Sequence, residues 1–275
     1  LSIFDNRISL HTWTLDTTPL PDALRVAKDA GYAGVETRYV DFKRCFDAGM
    51  SNEQVMDILL SSGIQVTVMG TEYGVIFAKG EEQRRMFRSL DMICADAKAL
   101  GCEVVMVAPS HNPPGTIREA AASFREGGEI AAKHGVRFAL EFNSRHPVIN
   151  KIEVAQEILA LADHPACGLL LDAYHMHCSG ATGRAFECVP AKDILAFQFS
   201  DAPATPTPER RPVDRLPPGK GAVRWNEVFQ CLREKNYTGY LNYEAPNPAQ
   251  WKRPPREVAD EGLAETRRLL KTAFQ

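Results

Sequence analysis

The sequence contains no run of about 18 consecutive apolar residues, the length a helix needs to cross a membrane, so no membrane span is expected. Its seven cysteines (45, 94, 102, 167, 178, 188 and 231) include no CxxC pair. Their scatter and odd number offer neither a zinc site nor a disulfide framework, and favour a reducing cytoplasm. The N-terminus, Leu-Ser-Ile-Phe-Asp-Asn, lacks a basic segment followed by an apolar one, so no secretion signal is expected. The chain starts at Leu rather than Met, as a trimmed chain would. There is no dense basic stripe: 32 Lys and Arg face 35 Asp and Glu, for a net charge of -3. Phosphate backbones are bound by clustered Lys and Arg, so DNA and RNA are not expected partners. Internal linkers and low-complexity tracts are also missing. So is the Gly-rich turn that an open dinucleotide-binding sheet carries after its first strand; His11-Thr12-Trp13 stands there instead.

What is present is an ordinary globular composition, 44% hydrophobic and 24% charged over 275 residues, enough for one large core. Short β-rich runs alternate with longer stretches of three- and four-residue apolar spacing, the pattern of parallel βαβ units. Strands are predicted over 7–11, 34–37, 65–69, 103–108, 137–142, 168–172, 194–199 and 240–244, and helices over 21–30, 52–61, 82–100, 117–134, 154–162, 225–235 and 256–274. Several helices end at a glycine followed by a strand, at Gly31, Gly63, Gly101 and Gly135. Glycine there takes the left-handed cap conformation that other residues resist. Eight strands and roughly eight helices predict a single-domain (β/α)₈ TIM barrel spanning 1–275. One stretch is irregular: Ser200 to Val223 carries six prolines directly after the seventh strand. Loops of this size inside compact domains usually bind or cover something.

Four apolar runs end in a ligand-type residue: Phe-Ala-Leu-Glu141, Leu-Leu-Leu-Asp172, Leu-Ala-Phe-Gln198 and Leu-Asn-Tyr-Glu244, separated by 31, 26 and 46 residues. A carboxylate at the end of a buried strand is costly to desolvate unless something positive meets it. One alone reads equally as an N-cap or an ion-pair partner. Four in register, on strands five to eight of a barrel, converge on the mouth where such folds place their sites. Their all-oxygen character suits Mn²⁺ or Mg²⁺, with Zn²⁺ and Co²⁺ as further candidates.

The stretches Leu-Glu-Phe-Asn (140–143), Leu-Asp-Ala-Tyr-His (171–175), Gln-Phe-Ser-Asp (198–201), Pro-Gly-Lys-Gly (218–221) and Asn-Tyr-Glu-Ala (242–245) resemble the sugar phosphate isomerase/epimerase superfamily of xylose isomerase-like barrels. Ketose 3-epimerases, inosose-processing enzymes and 3-dehydroshikimate dehydratases belong to it. The resemblance implies Glu141, Asp172, Gln198 and Glu244 as metal ligands and the two glutamates as the proton-transfer pair. Two carboxylates beside a cation can move a proton at carbon while the cation stabilises an enediolate. It further implies His175 and Arg215 as substrate contacts. Gln198 departs from the histidine common in isomerases and resembles the dehydratase branch. The stretch 142–146 also lacks a glutamate that some epimerases use.

His11 and Trp13 at the first strand's end are candidates to wall a sugar pocket, with core packing as the alternative. Glu36 can contact a hydroxyl or pair with Arg38. His111 follows the fourth strand and either lines the mouth or sits on the surface. His177 and Cys178 extend Asp172 and His175 into a pattern that suits a second metal only on paper. Arg210, Arg211, Arg215 and Lys220 can hold an anionic group, the last two with more reason because they flank Pro217-Pro218-Gly219.

The expected function is therefore a metal-dependent isomerase or epimerase acting on a small keto-sugar or polyhydroxy ketone. The alternative is a dehydratase of the dehydroshikimate or inosose type using the same site. An abasic-site endonuclease of this barrel resembles it with three zincs and many more ligands, and a non-catalytic sugar-binding barrel would retain four ligands without use. By analogy a homodimer or homotetramer is expected.

Overall fold

Period-two alternation along a strand sends neighbouring side chains to opposite faces, and this decides what each strand offers to the barrel's interior. The computed structural model describes residue 4 and residues 6–110, 114–205 and 212–273. Its first half runs β1 (Ile8–His11), α1 (Leu20–Ala30), β2 (Gly34–Thr37), α2 (Tyr39–Asp47), α3 (Asn52–Ser62), β3 (Gln65–Gly70), α4 (Gly80–Ala99), β4 (Val104–Val107) and α5 (Ile117–His134). The second half runs β5 (Arg137–Glu141), α6 (Ile152–Ala162), β6 (Cys167–Asp172), α7 (Ala173–Cys178), β7 (Ile194–Phe199), α8 (Trp225–Glu234), β8 (Leu241–Tyr243) and α9 (Pro255–Ala273). Each strand pairs in parallel with the next and β8 pairs with β1, closing an eight-stranded barrel.

The outward residues Phe138 and Leu140 of β5, Leu169 and Leu171 of β6, Phe197 and Phe199 of β7, and Leu241 and Tyr243 of β8 join the main core with the helices. The inward set includes Val104 and Met106 of β4, Ala139, Leu170 and Ala196, which form a second, smaller apolar cluster inside the barrel. Two residues further along the same inward face stand Glu141, Asp172 and Gln198. Parity alone therefore aims the ligand-type residues at the barrel axis. Below them Thr67 joins Ser9 (2.9 Å) and donates to Asn242 (2.8 Å), a buried polar tie across β1, β3 and β8.

The cap glycines Gly31, Gly63, Gly101 and Gly135 all take positive φ, between 64° and 92°, as the helix-glycine-strand junctions predicted. Two helices escape the apolar spacing. In α2 only Asp41, Phe42 and Cys45 are buried, and the helix starts after Arg38 rather than after a Ser, Thr, Asp or Asn. Asp41 substitutes by accepting the backbone N–H of Arg38 at 2.9 Å. The six-residue α7 begins at Asp172, whose Oδ1 accepts the N–H of Tyr174 at 2.8 Å. Among the described residues no helix is long and apolar enough to cross a membrane.

Candidate metal centre

A cavity of about 750 Å³ opens at the C-terminal ends of the strands, and His11, Trp13, Glu141, His175, Gln198, Arg215 and Glu244 line it. The sequence thus places its principal candidates together. Asp172 lies just beneath, wholly buried. Register explains the grouping: Asp172 is the partner of Gln198 on β7, Gln198 is the partner of Asn242 on β8, and His11 is the partner of Glu36 on β2.

Arg215 is the electrostatic hinge of the site. Its guanidinium is 1% exposed and places Nη1 2.6 Å from Asp172 Oδ2 and 3.0 Å from Glu244 Oε2. It also lies 4.3 Å over the ring of Tyr174, whose hydroxyl donates to Asp214 at 2.5 Å. The arginine arrives on the Pro-rich segment after β7. That segment is fixed by Asp201, whose carboxylate accepts from the backbone of Gly219 (2.7 Å) and Val223 (2.9 Å) and from the Trp225 indole (2.8 Å). Leu216 and Asp201 also form an antiparallel bridge. The glycines of Pro-Gly-Lys-Gly serve this loop. Gly219 has φ +80°, and a Cβ at Gly221 would meet Ala202 O at 2.2 Å.

Lys220 does not join the site, contrary to the expectation from sequence. Its ammonium reaches outward to Glu265 of α9 at 3.0 Å and is about half exposed. Glu36 is corrected in a different way. It is fully buried and is not among the residues that line the cavity, and it pairs with neither solvent nor Arg38. It accepts from Gln198 Nε2 at 2.7 Å, while Arg38 pairs with Asp16 (2.7 Å) and Asp41 (2.6 Å). His177 lines a separate small cavity beside Thr182 and Arg224. His111, Arg210 and Arg211 lie outside the described residues.

Four carboxylates, those of Glu36, Glu141, Asp172 and Glu244, are each 7% exposed or less. Glu141 is pushed well above the usual carboxylate range by burial and by the charges of Glu244 and Asp172. Glu244 is raised to about 7 by burial, against the pull of Arg215. Burial, then Arg215, pushes His175 well below its ordinary value, and burial, then Arg38, does the same to His11, so both imidazoles stay neutral at pH 7. His11 Nδ1 accepts the N–H of Trp13 at 3.0 Å, which leaves the Nε2 proton facing Glu244 Oε1 at 3.3 Å. Four acidic groups are thus crowded around the single guanidinium of Arg215, and burial makes Glu36 and Glu141 hard to ionise there; a further cation is the natural complement that would let them do so.

The donors fit a divalent ion. Glu141, Asp172 and His175 each offer an atom within 4.8 Å of the other two. Gln198 Oε1 is buried with no hydrogen-bond partner, an orphaned acceptor that a cation would satisfy. His175 enters this cluster more closely than its sequence position suggested: its Nε2 lies 3.7 Å from Glu141 and 3.9 Å from Asp172. Ser144 meets His175 Nδ1 at 2.9 Å. Ser144, and the cavity-lining Asn143, Thr71 and Tyr39, are not singled out by the sequence as site residues. The only signal for them was position just past a strand end.

Residues 24–269 match the family model described as xylose isomerase-like TIM barrel. The inosose isomerase of Halalkalibacterium halodurans is 30% identical over 135 residues, 48% of each chain, so this match spans about half of that relative's length. The inosose isomerase of Bacillus velezensis is 22% identical over 270 residues, 95% of each chain. The 3-dehydroshikimate dehydratase of Pseudomonas putida is 28% identical over 264 residues, which are 93% of this chain and 40% of that one. The solved structure of IOLI protein with a binding zinc atom superposes with a TM-score of 0.86 at 21% identity, covering 98% of this chain and 99% of that one. With its barrel, its strand-end carboxylates and a family match over most of its length, this chain belongs to the xylose isomerase-like TIM barrels.

Proposed function

We propose that the protein is a divalent-metal-dependent isomerase or epimerase of a keto-sugar or related polyhydroxy ketone. One observation carries the reading: the buried carboxyl groups of Glu141, Asp172 and Glu244 and the orphaned Gln198 Oε1 gather at the mouth of the barrel around a single cation, Arg215. Glu141, Asp172, Gln198 and Glu244 would hold the ion. A bound Mn²⁺ or Mg²⁺, or the zinc named for the solved relative, supplies Lewis-acid charge to an oxygen on which negative charge develops.

The chain's own groups then divide the work. Glu141 and Glu244 form the proton-transfer pair, one carboxylate taking the proton from the carbon next to the carbonyl and the other, protonated, delivering its own proton to the neighbouring carbon or the opposite face. His11 and Arg215 hold Glu244 from two sides, so its carboxylate has a fixed direction. His175, neutral and turned toward Glu141, binds a substrate oxygen, and Trp13 walls the cavity.

Gln198 supports a second reading, a dehydratase. The same abstraction next to a carbonyl would be followed by loss of the β-hydroxyl as water, its proton coming from the second carboxyl group. The likeness to the Pseudomonas putida dehydratase across 93% of this chain supports it, while the whole-length likeness to an inosose isomerase supports the first. Incubation with Mn²⁺ and inosose, a ketose panel or 3-dehydroshikimate separates the two. Deuterium uptake from solvent without loss of water is expected for the isomerase. A rise in ultraviolet absorbance from a conjugated product would replace it with the dehydratase.

A further inference from the structure

Glu36 is the buried carboxylate to which the proposed chemistry gives no task. It sits on β2, 162 residues from Gln198 in sequence, and is fully enclosed by the barrel. Burying a carboxylate is expensive, and a carboxylate that touches neither solvent nor substrate needs another reason to be there.

The reason lies in the two ends of an amide. Gln198 can present either its oxygen, an acceptor, or its NH₂, a donor, to the centre of the barrel, and only the oxygen can meet a cation. Its strand neighbours Asp172 and Asn242 do not choose between them, because their polar atoms are engaged elsewhere: Asp172 accepts from Tyr174 N–H and Arg215 Nη1, and Asn242 accepts from Thr67 and donates to Phe197 O. Glu36 does choose. Its Oε1 lies 2.7 Å from Gln198 Nε2 as the acceptor, and of the two ends of the amide only the NH₂ can donate to it. The NH₂ end is thereby drawn to β2, and Oε1 is left buried, unpartnered and facing away from Glu36.

We infer that Glu36 is a positioning residue that locks the Gln198 amide with its oxygen toward the metal centre. The inference rests on the metal reading above. It explains how an amide replaces an imidazole in this site without losing a defined ligand direction. An imidazole at position 198 would ligate through one nitrogen and donate its other N–H, so it has no oxygen and NH₂ ends to exchange.

The test measures Mn²⁺ affinity by isothermal titration calorimetry of the full chain, together with thermal unfolding in the absence of metal. Glu36→Gln keeps the shape and volume of the side chain, and the unfolding measurement checks that the fold is retained. The new amide can donate to Gln198 Oε1 as readily as it accepts from Nε2, and the lock is lost. The expected result is a 10- to 100-fold weaker affinity, the range typical for partners that orient metal ligands. The control is the same substitution in a Gln198→His background. There the imidazole can still donate to the carbonyl oxygen of the introduced amide, so Glu36→Gln is expected to weaken binding by less than about threefold, a non-additive cycle.

Unchanged affinity in Glu36→Gln would overturn the inference. So would an equal loss in both backgrounds, since that would assign Glu36 a general electrostatic or packing role. Failure of the unsubstituted protein to bind Mn²⁺ would overturn the metal reading itself, and the role of Glu36 with it.

Discussion

Arg215→Met tests the electrostatics of the centre most severely. The guanidinium contacts Asp172 at 2.6 Å and Glu244 at 3.0 Å, and all three groups are buried. Methionine fills part of the volume over Tyr174 but leaves two carboxylates facing each other without a cation. Removing one partner of a buried pair typically costs about 3–5 kcal/mol. At about 2 °C per kcal/mol for a chain of this size, the unfolding midpoint should fall by roughly 6–10 °C.

The loss should depend on pH in a defined direction. Burial raises Glu244 from an ordinary 4.5 to about 7, and of the two cations that pull it down, Arg215 and Arg38, Arg215 pulls harder. A carboxyl group whose folded value stands above its unfolded one takes up protons on folding. Its contribution to stability is full below the unfolded value and is lost as pH rises through the folded value. Without Arg215 that upper limit moves higher, so the deficit of the variant should be small at pH 5 and large at pH 8. Added Mn²⁺ should recover part of it by supplying positive charge to the same carboxylates. Differential scanning fluorimetry across pH, with and without Mn²⁺, makes the measurement. An unchanged midpoint, or a deficit equal at pH 5 and pH 8, would refute the charge balance drawn from the structure.

Two further expectations concern the reaction and the ligand set. Glu141→Gln and Glu244→Gln should each lower kcat by roughly 10²–10⁴ with the circular dichroism spectrum preserved, the range for losing a general acid or base; full activity in either variant would remove that residue from the proton-transfer pair. Gln198→Ala should abolish tight Mn²⁺ binding, whereas His175→Asn should leave affinity within about threefold and lower turnover, as expected of a substrate contact rather than a ligand; the reverse pattern, read by calorimetry, would make Glu141, Asp172 and His175 the ligand core.

The barrel and the centre of the site are legible in the sequence because both follow from short-range rules. Alternation along β5 to β8 sets Glu141, Asp172 and Gln198 on the inward face, and a run of apolar residues before each marks the strand. Asp172 shows how one residue serves two readings, since it caps α7 and faces Arg215 at once. What the sequence hides depends on partners far along the chain. Lys220 stands beside two prolines that suggested a fixed site residue, but its direction is set by Glu265 on the last helix. Glu36 looked like a mouth residue until β7 brought Gln198 across it. Helix α2 is not legible in the sequence because its cap is the side chain of Asp41 reaching back to Arg38, with few buried residues behind it.

The central claim is that one divalent ion is held by oxygen donors at the ends of β5 to β8. Calorimetric titration of metal-free protein with Mn²⁺ tests it most directly. One site per chain is expected in the unsubstituted protein, with binding strongly weakened in Glu141→Gln and in Gln198→Ala. A chain that binds no Mn²⁺, Mg²⁺ or Zn²⁺, or that binds Mn²⁺ equally well with both substitutions, would contradict the account.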